Sequence, residues 1–130
     1  MAANSYDVVF TSALREWSIR VRMTDAWVML RTFVLCAPES PARRHELLET
    51  VMRDNAGLSL VKFSLSEDDA ICLELEYRTD DVTSEKLKSL CNLIVRIGDE
   101  YYPKLFRLIT GDVALDALET AFKKPASEQS

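Results

Sequence analysis

The stretch VKFSLSEDDAICLELEY, residues 61–77, predicts a β-hairpin with an acidic turn. Apolar residues occupy every second position on both sides of the turn, at Val61, Phe63 and Leu65 and then at Ile71, Leu73, Leu75 and Tyr77. Successive side chains of a strand point to opposite faces, so this alternation indicates two strands with one buried and one wet face. Residues 66–69 between them are typical of a turn, because Ser and Asp side chains hydrogen-bond to the nearby backbone.

A long amphipathic helix is predicted to follow the hairpin. Thr83 is its expected cap, and Glu85 lies near the positive end of the helix dipole. Apolar positions then recur at helical spacing, at Leu87, Leu90, Cys91, Ile94, Ile97 and Tyr101. Pro103 is expected to kink or break this helix because proline lacks the N–H group and clashes with the preceding turn. The apolar face resumes until Gly111, and a further short helix is predicted over residues 113–124.

A helix, a hairpin and a second helix are predicted between Tyr6 and Gly57. Apolar side chains at helical spacing from Tyr6 to Trp17 predict a first helix. From Trp17 to Met23 the period changes to two, and residues 27–35 are almost continuously apolar, which favours a hairpin whose second strand is buried on both faces. Pro38 and Pro41 end that hairpin and begin a helix that Gly57 terminates.

These elements define an α+β fold. We expect an antiparallel sheet of two hairpins with helices packed on one face, in the order α-β-β-α-β-β-α. Residues 1–124 form a single domain of this kind, and residues 125–130 are expected to be a disordered tail.

Several turn and packing residues resemble those of a known family. They are Asp54-Asn55, Phe63-Ser64-Leu65, residues 83–87, and the run Asp99-Glu100-Tyr101-Tyr102-Pro103-Lys104-Leu105 that closes at Gly111. Together they resemble the YbjN-type domain of bacterial sensory transduction regulators. The resemblance implies the fold of type III secretion chaperones, which are commonly homodimers, and it implies no enzymatic activity. That fold usually has three strands after its first helix, whereas the pattern here places two.

Composition narrows the class of protein. The chain is 48% hydrophobic and 28% charged, as expected of a globular domain. Its net charge of −5 argues against nucleic acid as a partner, since nucleic-acid binders carry a basic patch or stripe. No apolar run is long enough to span a membrane, and the first five residues lack the features of a signal peptide, so a cytoplasmic location is expected. Cys36, Cys72 and Cys91 are expected to be buried free thiols.

We find no catalytic pattern and expect neither an enzyme nor a cofactor. His45 is the only histidine, and a solvated or capping role fits it better than catalysis because no nucleophile accompanies it. The acidic pairs 68–69 and 80–81 lie at turns, and neighbours on a helix, like the pair 99–100, point in different directions. Zinc-ligand spacing is lacking, and three glycines cannot form a phosphate-binding loop.

The first hairpin carries the candidate site. With Thr24 and Asp25 as the two turn residues, the expected pairs are Met23 with Ala26, Arg22 with Trp27, Arg20 with Met29 and Ser18 with Arg31. Cross-strand partners share a face, so Ile19, Val21, Val28 and Leu30 are expected under the helices. The opposite face then carries the predicted partner-binding residues Arg20, Arg22, Trp27, Met29, Arg31 and Phe33.

Trp, Met and Arg are enriched at protein–protein interfaces, and an exposed stripe of them usually marks an interaction site. Glu74 and Glu76 on the second hairpin are placed to neutralise the arginines across the strands. Three alternatives stay open. In the first, residues 113–122 of the predicted last helix cover Trp27 and Phe33. In the second, a one-residue slip of the register turns every side chain to the other face. In the third, the stripe is a homodimer interface.

Two functions are compatible with these features of the sequence. The first is a non-enzymatic protein-binding module, chaperone-like or regulatory, that binds a protein partner or peptide segment through the sheet face or an exposed strand edge. The second is a structural subunit or assembly factor whose face is permanently covered by a copy of itself or by a fixed partner.

Overall fold

The structure, a computed structural model, describes residues 4–78, 80 and 82–110. Its elements in chain order are β1 (Asn4–Thr11), β2 (Glu16–Met23), β3 (Trp27–Cys36), α1 (Pro41–Gly57), β4 (Lys62–Leu65), β5 (Ala70–Arg78) and α2 (Ser84–Thr110). In this part of the chain the five strands form one antiparallel sheet, ordered β1-β2-β3-β5-β4. The predicted α+β class with helices on one face of an antiparallel sheet is confirmed. The predicted helix 113–124 and tail 125–130 lie outside the described residues.

The predicted first helix is wrong, because residues 4–11 form strand β1. Tyr6, Val8 and Phe10 lie on one face of the strand, and Val9 lies on the other. In the sequence, Tyr6, Val9 and Phe10 stand three and four residues apart, which is the spacing of a helix face. Valine and aromatic residues favour strands, so the local preference agrees with the pairing to β2. The observed order is β-β-β-α-β-β-α, and three consecutive strands precede α1.

One face of the sheet, the inner face, packs against both helices. Its strand residues Ile19, Val21, Val28, Leu30 and Leu73 are fully buried. Helix residues complete the same core, namely Leu47, Val51, Leu90, Ile94 and Leu105. The expectation that β3 is buried on both faces is wrong for residues 27–33, which alternate between buried and partly or fully exposed positions. Val34 and Leu35 are buried in succession, where the strand has an irregularity in its register.

The other predicted elements are confirmed, with one correction. Helix α1 begins at Pro41 and ends at Gly57, and the Thr83 hydroxyl accepts a hydrogen bond from the Lys86 N–H at 3.1 Å. Helix α2, however, continues through Pro103 to Thr110. Packing on either side of the proline holds the helix, with Leu105 fully buried beyond it. No helix among the described residues is long and apolar enough to cross a membrane.

A polar junction fastens the β1–β2 turn to α2. The carboxylate of Asp99 accepts hydrogen bonds from the Trp17 indole N–H at 2.8 Å and the Ser12 hydroxyl at 2.9 Å. The Arg15 guanidinium lies 3.9 Å from the Trp17 ring and donates to the carbonyls of Val34 and Phe33 at 2.7 and 3.1 Å. These contacts orient a fully buried tryptophan between the sheet and the helix.

The cysteines make a first testable prediction. Cys72 and Cys91 are buried and burial raises the pKa of both thiols, whereas Cys36 is exposed, which corrects the expectation of three buried thiols. Because a buried thiol is neither accessible nor ionised, we expect iodoacetamide to label Cys36 at neutral pH and the other two only after unfolding. Mass spectrometry of native and denatured protein measures this. Rapid native labelling of Cys72 or Cys91 would contradict the packing of the core.

Candidate protein-binding face

The face of the sheet turned away from the helices is called the outer face, and it holds all six predicted site residues. They are Arg20, Arg22, Trp27, Met29, Arg31 and Phe33. All of them are exposed except Met29, which is half-buried. The predicted division of the hairpin into a buried and an exposed face is therefore observed. Whether the exposed side chains bind a partner remains a prediction.

The register of the hairpin differs from the predicted one. Arg22 pairs with Met29 and Arg20 with Arg31, so each partner is displaced by two residues. The cause is the turn, where the Thr24 hydroxyl accepts the Trp27 N–H at 3.0 Å and places Asp25 and Ala26 at its centre. A shift of two residues preserves the alternation of faces, so the composition of the outer face is unchanged.

Two of the three arginines are already paired within the sheet. Arg20 forms an ion pair with Asp7 of β1, and the hydrogen bond between them lowers the pKa of Asp7 and raises that of Arg20. Arg31 lies 3.3 Å from the Glu74 carboxylate on β5. The predicted neutralisation across strands is thus observed for Glu74. Asp7 was missed at the sequence level because its segment was interpreted as a helix.

The third arginine borders a shallow depression at the centre of the outer face. Arg22, Met29 and Glu76 line it, together with Ser5 and the Arg31–Glu74 pair, around a volume of about 440 Å³. Arg22 makes no ion pair with any described residue, and the same holds for Glu76. The depression therefore offers one uncompensated charge of each sign beside an apolar methionine side chain.

Two aromatic side chains flank the depression along β3. Trp27 is 39% exposed and Phe33 is 45% exposed. The Arg78 guanidinium lies 5.8 Å from the Trp27 ring and also approaches Asp80 at 3.3 Å. The predicted covering of these two aromatic side chains by residues 113–122 concerns a segment outside the described residues.

The β4 edge of the sheet is capped at Phe63 by a side chain that sequence reasoning did not single out as functional. The Asn55 amide oxygen accepts the Phe63 N–H at 2.7 Å, and its nitrogen donates to the Phe63 carbonyl at 3.1 Å. Lys62 adds a hydrogen bond from its ammonium group to the Asn55 carbonyl at 2.8 Å. The Asn55 side chain thus makes the two hydrogen bonds to Phe63 that a residue of a neighbouring strand would make. The only signal for it was its place in the Asp54-Asn55 pair.

Comparison with known proteins agrees with this fold. The chain belongs to the YbjN family, described as "Putative bacterial sensory transduction regulator", which it matches over residues 4–107. The resemblance stated from the sequence is confirmed. No curated protein matches the chain by sequence.

Three solved structures of protein complexes have a similar fold, and two of them come from type III secretion systems. A chain of the Pseudomonas aeruginosa heterodimer ExoU–SpcU aligns with a TM-score of 0.58 at 14% identity, covering 82% of this chain and 85% of that one. The Yersinia pestis chaperone SycH in complex with a YscM2 fragment gives 0.53 at 15% identity, covering 74% and 78%. A chain of the ExsC–ExsE complex gives 0.54 at 10%, covering 78% and 76%. At these identities the likeness concerns the fold.

Proposed function

We propose that this protein is a non-enzymatic protein-binding module, chaperone-like or regulatory, that holds a segment of another protein on its outer face. The observation that carries the proposal is the combination found there: exposed Trp27 and Phe33 flank a depression in which Arg22 has no ion-pair partner among the described residues. Aromatic, methionine and arginine side chains are the ones that interfaces favour. The fold shared with the chaperone SycH, solved in complex with a YscM2 fragment, and with a chain of the ExoU–SpcU heterodimer supports the same function.

The charges of the outer face suggest the chemistry of the bound segment. Arg20 and Arg31 are paired with acids of their own sheet, so Arg22 is the arginine best placed to receive a carboxylate from a partner. Trp27 and Phe33 offer apolar area on either side. A segment with an acidic residue opposite Arg22 and a basic residue opposite Glu76, set between apolar residues, therefore fits. Its binding should resist salt because apolar burial supplies most of the free energy.

Photo-crosslinking tests the binding face directly. A photoreactive amino acid placed at Trp27 should capture a defined partner in cells, whereas the same residue at Arg96, which is exposed on α2, should not. Adding Arg22→Glu should reduce the capture at position 27. Equal yields from the two positions would show that the outer face is ordinary surface.

The alternative function is a structural subunit or assembly factor with a permanently covered interface. The exposed side chains of Trp27 and Phe33 favour this function, because a second copy or a fixed partner would cover them. The mass of the protein across a dilution series separates the two functions when wild type is compared with Arg22→Glu.

We expect Arg22→Glu to leave the mass unchanged and to weaken partner capture about tenfold, because it places a like charge against the acidic residue of the partner. Light scattering gives the mass and crosslinking yield gives the capture. Arg96→Glu makes the same charge change on α2 and should affect neither. Dissociation of a wild-type oligomer by Arg22→Glu would instead assign the outer face to self-association.

A further inference from the structure

The two edges of the sheet are built differently. Strand β4 is four residues long, carries Lys62, and has both outward backbone groups of Phe63 bonded to Asn55. Strand β1 is eight residues long and pairs only with β2 among the described residues. It contains no proline or lysine, and Tyr6 and Val9 on it are 44% and 59% exposed. Proteins usually protect long apolar edges, so an open one calls for an occupant.

The hydrogen-bond pattern identifies the open backbone groups of β1. The Ser12 N–H donates to the Arg15 carbonyl at 2.9 Å, which makes these two residues a hydrogen-bonded pair. Bonded and non-bonded pairs alternate along an antiparallel ladder. Ser5, Asp7, Val9 and Thr11 are therefore the residues whose N–H and C=O groups point away from β2. Together they present four donors and four acceptors along one edge.

We propose that this edge pairs with β1 of a second copy of the chain, antiparallel about a two-fold axis, which joins two sheets into one of ten strands. The sequence of β1 is self-complementary in one register. With Val8 on the axis, Val9 lies opposite the partner's Asp7 and Ser5 opposite the partner's Thr11, so every open group finds a partner. On the inner face Tyr6 then lies opposite the partner's Phe10, an aromatic pair of the kind that stabilises strand pairing.

The two neighbouring registers are less favourable. Centring the axis on Asp7 sets the two Asp7 carboxylates directly opposite each other, and like charges in that position are destabilising. Centring it on Val9 sets Ser5 opposite the partner's Ala13, which lies in the β1–β2 turn and not in the strand. The Val8-centred pairing avoids both defects, and it leaves the outer face of each copy open. The dimer is therefore independent of the proposed binding function.

The first test is Val9→Pro, with Leu65→Pro as the matched control. Proline at position 9 removes an N–H that points away from β2, so the hairpin keeps its own hydrogen bonds. Each dimer loses two hydrogen bonds, and we expect its dissociation constant to rise about tenfold or more. Leu65→Pro removes an outward N–H from the β4 edge and should leave the dimer intact. Sedimentation velocity across a dilution series measures both, with circular dichroism confirming the fold.

The second test is a charge pair at the same exposed position. Val9→Glu places a carboxylate opposite the partner's Asp7 and should weaken the dimer, whereas Val9→Lys places an ammonium group there and should preserve or strengthen it. Equal weakening by both substitutions would overturn the Val8-centred register. A wild-type protein that is monomeric at every concentration, or a dimer dissociated by Leu65→Pro and not by Val9→Pro, would overturn the proposal. If Arg22→Glu abolished partner capture but kept the dimer, the proposed β1–β1 dimer would still hold.

Discussion

Gly98→Ala is expected to lower the free energy of unfolding by about 2 kcal/mol, although alanine is the better helix former. A Cβ atom at position 98 would lie 2.7 Å from the Trp17 ring, closer than any van der Waals contact allows. The ring cannot retreat, because it is fully buried, its N–H is bonded to Asp99, and Arg15 and Tyr102 pack against it. The clash therefore outweighs the gain of about 1 kcal/mol in helix propensity. Thermal or urea unfolding measures the loss.

Gly57→Ala is the matched control, since nothing lies within 4 Å of a Cβ atom at that helical position. It should be neutral or slightly stabilising. A double-mutant cycle with Trp17→Phe adds a sharper criterion, because the smaller ring removes the atoms that clash. In the Trp17→Phe variant, Gly98→Ala should lower the free energy of unfolding by less than it does in the wild type. If its cost were the same in both backgrounds, contact with Trp17 would not be the cause.

Much of the fold was predictable because the spacing of apolar residues in the sequence matches the positions that are buried in the structure. The strict alternation in β4 and β5 and the proline and glycine that bound α1 each have a local cause. The outer-face residues were also predictable, since side-chain alternation survives an error of two residues in the register. Arg22 and Trp27 thus reach the predicted face although the turn lies one residue further along.

What could not be predicted depends on contacts distant in the sequence. Strand β1 has apolar residues on both faces, so its pattern fits a helix until β2 is seen to pair with it. Pro103 does not break α2, because packing around it outweighs one missing hydrogen bond. Cys36 ends β3 on its exposed side, and a cysteine's surroundings in sequence do not reveal this.

The residues that carry the family resemblance prove to be junctions between elements. Asp54 accepts a hydrogen bond from the Lys104 ammonium group at 2.7 Å, which ties α1 to α2. Tyr101 packs its ring edge-on against Phe63 at 5.6 Å. Asp99 holds Trp17, as described above. These contacts between elements explain why the motif predicts the fold.

Asn55→Ala is expected to lower the free energy of unfolding by about 3 kcal/mol, the larger of the two losses. The substitution removes both hydrogen bonds to Phe63, each worth up to about 1.5 kcal/mol, and leaves the outward N–H and C=O of Phe63 without a partner in the protein. Asn55→Asp is the closest control. Its carboxylate still accepts the Phe63 N–H but cannot donate to the carbonyl, so we expect an intermediate loss. Wild-type stability in Asn55→Ala would show that the two bonds contribute nothing.

The same substitution should also change association. Without the amide, the outward groups of Phe63 become available to another strand, and an unprotected edge promotes pairing between chains. We expect Asn55→Ala to form species larger than a dimer, because each copy then has two open edges instead of one. Adding Val9→Pro should reduce these species to dimers joined through β4, as sedimentation would show. If Asn55→Ala kept the wild-type mass, the Asn55 amide would serve stability alone. The β4 edge would then not need Asn55 to prevent pairing between chains.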